Sequence, residues 1–98
     1  MSCPVNERVV YECPAGMVAT ITHVHVTNTH TGNETFRLHH CRQNEASGTH
    51  NALFYDYSLS AKAYLLEETT IYMTPGERIV CSAPATGRIT INLYGIEQ

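Results

Sequence analysis

His23 and His25 are the residues of this 98-residue chain whose types and spacing come nearest to a reaction centre. In an extended strand, side chains return to one face every second residue, so the two imidazoles point the same way. Such a pair binds Zn²⁺ or Fe²⁺ when a third ligand arrives from a neighbouring strand. No carboxylate follows at short range: His30 and Thr31 stand where one is needed, and the next acid is Glu34. The expectation is a chain without metal or other cofactor, with His23 and His25 as the weak candidates for one. Both histidines then face outward, exposed or packed at a subunit contact, where their protonation would tune that contact below about pH 6.5.

The other reactive groups are scattered. His39-His40-Cys41 alternates faces along a strand and makes a poor chelate. His40 shares the parity of Phe36 and Leu38, which predicts a core or rim histidine with a backbone partner. Cys41 or Cys81 with a histidine would make a nucleophile, but no nucleophile elbow or oxyanion-type glycine turn surrounds either. Asp56, Glu67 and Glu68 would serve glycoside hydrolysis only across a cleft, and a sandwich this small has little room for one. There is no Gly-rich phosphate loop. The chain is therefore expected not to be an enzyme, with no catalytic residue to name.

The six tyrosines carry more information. Phe54-Tyr55-Asp56-Tyr57 places aromatics on both faces of one strand. A half-exposed sheet needs them on one face only, so the outer face is expected to be covered by a loop or another chain. Phe54, Tyr55 and Tyr57, with His23 and His25, are the interface candidates.

Composition narrows the class. Hydrophobic residues are 43% and charged residues 15%, which fits a folded domain and not a disordered chain. The net charge is −3 with only 6 Lys+Arg, so there is no basic stripe for phosphates and no nucleic-acid partner is expected. The first residues lack a basic segment leading into an apolar one, and no run approaches the ~18 apolar residues of a membrane span. Synthesis in a cytoplasm and no membrane partner are the expectations. Cys3, Cys13, Cys41 and Cys81 show no C-x-x-C spacing and are expected as free, buried thiols.

The elements that must position these residues are strands. Pro14-Ala15-Gly16, Thr31-Gly32-Asn33, Ser47-Gly48, Pro75-Gly76 and the Pro84-to-Gly87 stretch mark turns. Between them, β-rich runs cover 8–12, 17–28, 34–42, 52–60, 64–73, 77–83 and 88–96. In 52–60, Leu53, Tyr55, Tyr57 and Leu59 are expected on one side. In 88–96, Ile89, Ile91 and Leu93 oppose Arg88, Thr90 and Asn92. Along 17–28, Ile21 has one parity and Val18, Val24 and Val26 the other. Either a bulge near Thr22 flips the faces, or a neighbouring subunit covers Ile21. The polar loop 43–51 is expected to be the most mobile connection. The fold class that follows is all-β: one domain over 1–98, a single antiparallel β-sandwich of seven to eight strands, jelly-roll or immunoglobulin-like.

Two resemblances bear on this reading. His23-x-His25 after Gly16 resembles the opening metal motif of the cupins, but the acid that should follow and the second motif are missing. More of the chain resembles the small sandwich proteins of tailed phages, regarded as virion structural or head-decoration proteins. The matching pieces are Tyr11-Glu12-Cys13-Pro14-Ala15-Gly16, Val24-His25-Val26-Thr27-Asn28, Phe36-Arg37-Leu38, Asn51-Ala52-Leu53-Phe54-Tyr55-Asp56, Pro75-Gly76-Glu77-Arg78-Ile79 and Leu93-Tyr94-Gly95-Ile96-Glu97. Glu77 replaces the usual Asp, and the histidine richness and four cysteines lie outside the pattern.

The phage resemblance implies a virion structural protein, most simply a head-decoration (cement) protein that binds and stabilises the major capsid lattice as a homotrimer or dimer. A neck, tail or fibre component is the first alternative and a cupin-like metal-binding sandwich the second. A carbohydrate-binding module would stack sugars on tyrosines, yet such modules favour Trp and the chain has none.

Overall fold

A computed structural model describes residues 1–98. Seven strands follow the seven sequence runs with ends shifted by no more than two residues: β1 (Arg8–Glu12), β2 (Ala19–Asn28), β3 (Glu34–Cys41), β4 (Ala52–Leu59), β5 (Tyr64–Met73), β6 (Arg78–Ser82) and β7 (Ile89–Glu97). They form two antiparallel sheets, β1-β6-β3-β4 and β5-β2-β7, packed as a β-sandwich. The pairs β3·β4, β2·β5 and β1·β6 nest around the 42–51 loop and alternate between the sheets. That is a rolled ribbon, the jelly-roll manner of winding. The immunoglobulin order is excluded, because it keeps the first two strands in one sheet.

The turns are made by the residues that demand them. In Thr74-Pro75-Gly76-Glu77, Gly76 has φ +86° and the amide of Glu77 donates to the carbonyl of Thr74 at 3.1 Å. Pro supplies the fixed φ of the first central position and Gly the positive φ of the second, a type II turn. Residues 1–4 strap the sandwich together. Met1 and Ile91 exchange backbone hydrogen bonds, the Cys3 amide donates to Ile89, and the Pro4 carbonyl accepts from Ala83, just past the end of β6 in the far sheet.

The core lies between the sheets. Phe36, Leu38, Ile79 and Cys81 from one face Val24, Val26, Ile71, Met73, Ile89 and Ile91 from the other. Ile21 belongs to this core although its parity is opposite to that of Val24 and Val26. The register shifts between Ile21 and His23 against both neighbouring strands, so a bulge at Thr22 reverses the faces. No neighbouring subunit is needed to bury Ile21.

Loop 43–51 lies across the outer face of the four-stranded sheet. Asn51 donates to the carbonyl of Ala46, the carboxylate of Glu45 and the sulfur of Cys41. His39 Nδ1 lies 3.0 Å from the Gly48 carbonyl, and Arg78 donates to the Glu45 carbonyl. Beneath it Cys41 and Val80 are buried outside the main core. The Arg42 amide, with the Asn51 amide second, holds Glu45 down at about 2. His40, expected to hold a backbone partner, instead pairs with the Glu77 carboxylate at 2.6 Å; the backbone partner belongs to His39.

Candidate functional site

The two outer faces differ. Loop 43–51 covers part of the four-stranded sheet, whereas nothing in the chain covers β5-β2-β7. Strand registers lay its outer residues in rows: Tyr72, Thr20, Ile96; then Glu68, His23, Tyr94; then Leu66, His25, Asn92; then Tyr64, Thr27, Thr90. Tyr64 is 69% exposed, Ile96 60%, Tyr72 59%, and Leu66 and Tyr94 53% each. Five large apolar or aromatic side chains thus stand in water on one face. Scattered apolar residues are ordinary on a surface, but a contiguous set is the mark of an interaction site.

His23 and His25 sit on the central strand of this face, half-buried, and both point outward as the two-residue spacing requires. His23 Nδ1 is 3.0 Å from the Thr22 hydroxyl, and its Nε2 is 3.9 Å from the exposed carboxylate of Glu68. The His25 ring packs at 5.7 Å from that of Tyr64. No three His, Cys, Asp or Glu side chains gather anywhere as a metal-binding group, so the third ligand that a cupin-like site requires does not stand beside the pair.

The remaining candidates lie on the other sheet. Against Arg37 of β3, two residues of β4, Tyr55 and Asp56, occupy one position, and Asp56 takes φ +52°. This bulge corrects the expected alternation, since it turns Phe54 and Tyr57 to the same side. Both rings pack on the fully buried Phe36, at 5.3 and 5.8 Å, and on each other at 5.3 Å. Phe54 is half-buried there, and Tyr57 keeps 43% exposure at the rim. Tyr55 alone of the three faces fully outward, with the Arg37 guanidinium 4.2 Å from its ring centre. Arg37 in turn grips Asp56 through two hydrogen bonds of 2.7 and 3.2 Å, which hold its carboxyl below the usual range. The five interface candidates therefore fall on two surfaces.

The reactive groups stay apart as well. Asp56 and Glu68 belong to different sheets, and Glu67 borders a cleft of about 170 Å³ with Leu53, Phe54 and Ile71. All four cysteines are free and buried. Burial pushes the Cys13 and Cys41 thiols up, and a hydrogen bond with Cys81 followed by burial pushes Cys3 up. A raised thiol is a poor nucleophile, because the thiolate is the attacking form; the hydrogen bond with Cys3 lowers Cys81 instead, and that thiol is fully buried.

Tyr64, Leu66, Tyr72, Tyr94 and Ile96 were missed by the sequence reading as site residues. For Tyr64 and Leu66 alone a signal was present, in the parity they share with Glu68 opposite Leu65 and Glu67. The charged pair Glu67-Glu68 hid it by placing acids on both faces.

The fold and this face define a small jelly-roll-wound β-sandwich with one uncovered aromatic sheet face. Comparison of the chain with protein-family models, with curated proteins and with solved structures gives no match in any of the three.

Proposed function

We propose that this chain is a non-enzymatic assembly module of a tailed-phage particle, a head-decoration protein made in the host cytoplasm and carried on the virion. The observation that carries the reading is the uncovered face of β5-β2-β7, where Tyr64, Leu66, Tyr72, Tyr94 and Ile96 are all more than half exposed. Tyrosine suits such a role, since its apolar body gives contact area and its hydroxyl keeps the free surface wettable. The ordered resemblance to phage sandwich proteins supports a phage particle as that assembly. The other outer surface, with Tyr55 stacked on Arg37, is left free to meet the major capsid lattice. Small contacts of this kind become firm when symmetry repeats them over a shell.

Immunogold microscopy of intact particles with antibody against this chain tests the proposal, with a blot of denatured particles as control. Label over the whole head is expected. Label confined to a vertex or the tail overturns the decoration role in favour of a neck, tail or fibre component, and unlabelled particles overturn the virion reading.

A further inference from the structure

We infer that the outer face of β5-β2-β7 is covered by a second copy of this chain, in a two-fold pairing that sets Glu68 of each copy against the histidine pair of the other. The inference rests on the reading of this face as a protein interface and names its occupant.

Charge is the first argument. The rows of the face contain one acid, Glu68, two bases, His23 and His25, and no lysine or arginine. Nucleic acid or an acidic peptide would find no permanent cation there. A basic surface would find a single carboxylate. A second copy supplies the complement as imidazole N–H donors to the carboxylate, because a two-fold interface puts the same patch on both sides and residue i meets j while j meets i.

Area is the second argument. An aromatic side chain presents about 150–250 Å² when free. Five side chains at more than half exposure therefore leave roughly 100 Å² each, or about 500 Å² per copy. Two such faces together remove about 1,000 Å² before His23, His25 and the threonines are added, which reaches the lower limit for a specific pair. Flat sheet faces also stack well, with side chains interdigitating across about 10 Å.

Sedimentation and light scattering of the full chain from micromolar to near-millimolar concentration provide the test. At neutral pH a dimer whose fraction rises with concentration is expected. Leu66→Arg and Tyr94→Arg should each yield a folded monomer by circular dichroism, with Ile96→Arg as a third exposed position if one of them misfolds. Tyr55→Arg, on the opposite surface, should leave the dimer intact. A monomer at every concentration, or a dimer that survives the face variants, overturns the inference. A monomer whose particle label vanishes with Leu66→Arg assigns the face to the lattice and leaves the virion reading standing. A face-dependent dimer on unlabelled particles does the reverse.

Discussion

The side-chain amide of Asn28 donates to the main-chain carbonyl of Leu59 at 3.2 Å, which bonds the last residue of β2 in one sheet to the last residue of β4 in the other. The same amide reaches the carbonyls of Ser60 and Gly32, while its oxygen accepts from the amide of His30. Asn28 is fully buried, so this one side chain satisfies backbone groups of three loop and strand ends where water cannot. Asn28→Ala should cost about 3 kcal/mol, because buried carbonyls lose their donor. Thermal unfolding should then fall by roughly 12–24 °C for a domain of this size. Asn28→Asp should be worse at neutral pH than at acid pH, since its carboxylate turns charge toward those carbonyls.

Glu77 fastens a different corner, and its effect depends on acid. It is buried, and that alone would raise its carboxyl, but hydrogen bonds from Thr74 and His40 outweigh burial and bring it below its ordinary 4.5. A carboxylate depressed in the fold stabilises fully above its unfolded value, and that contribution is lost as pH falls through the folded one. Glu77→Gln should therefore lower stability by about 2 kcal/mol at neutral pH. The gap between variant and wild type should close in acid below the ordinary 4.5, as the native carboxylate takes up its proton. Parallel urea titrations at neutral and acid pH measure it. A gap that persists in acid would mean that the charge of Glu77 is not what His40 and Thr74 hold.

Most of the fold was legible because strands of this chain are bounded by residues with unambiguous local physics. Pro75-Gly76 could only be a turn, and Ile89, Ile91 and Leu93 could only share a face. Even the bulge at Thr22 was visible, as a clash of parity between Ile21 and Val24. The bulge at Tyr55 and Asp56 was not, because its cause is remote: Arg37, 19 residues away, grips Asp56 and steadies its positive φ. The uncovered face was equally hidden. Tyr64, Tyr72, Tyr94 and Ile96 lie on two strands joined only through β2, and a pairing of that range is not written in any local pattern.

Gly95 is required by the close approach of β2 and β7. A Cβ placed there would stand 2.1 Å from the Thr20 carbonyl oxygen and 3.0 Å from the Ile21 Cα, both backbone atoms. No rotamer change relieves a clash with backbone, so Gly95→Ala has to pry the two strands apart beside the Thr22 bulge. The expected cost is at least about 3 kcal/mol, at the top of the usual range for overpacking. Faster amide exchange should centre on Thr20, Ile21 and Gly95. A variant that melts with the wild type would show that the strands yield at little cost.

Tyr11 should behave in the opposite sense, as a residue whose removal helps. Its hydroxyl is the one buried side-chain polar atom without a hydrogen-bond partner, at the edge of a cleft of about 170 Å³ lined by Ala19, Ile21, Leu93, Gly95, Ile96 and Glu97. Burial first and then the Glu97 carboxylate, which lies near the hydroxyl but outside hydrogen-bonding geometry, push the phenol from 10 up to about 12. A group whose value is raised in the fold contributes fully below its unfolded value and loses that contribution as pH rises toward the folded one. The wild type should therefore weaken between pH 10 and about 12. Tyr11→Phe deletes the orphaned hydroxyl while keeping the ring against the core, and should gain about 1 kcal/mol at neutral pH. It should also lack the alkaline loss, so its advantage widens as pH rises. A destabilised Tyr11→Phe would mean that the hydroxyl has a partner in solution, most simply a water held in that cleft.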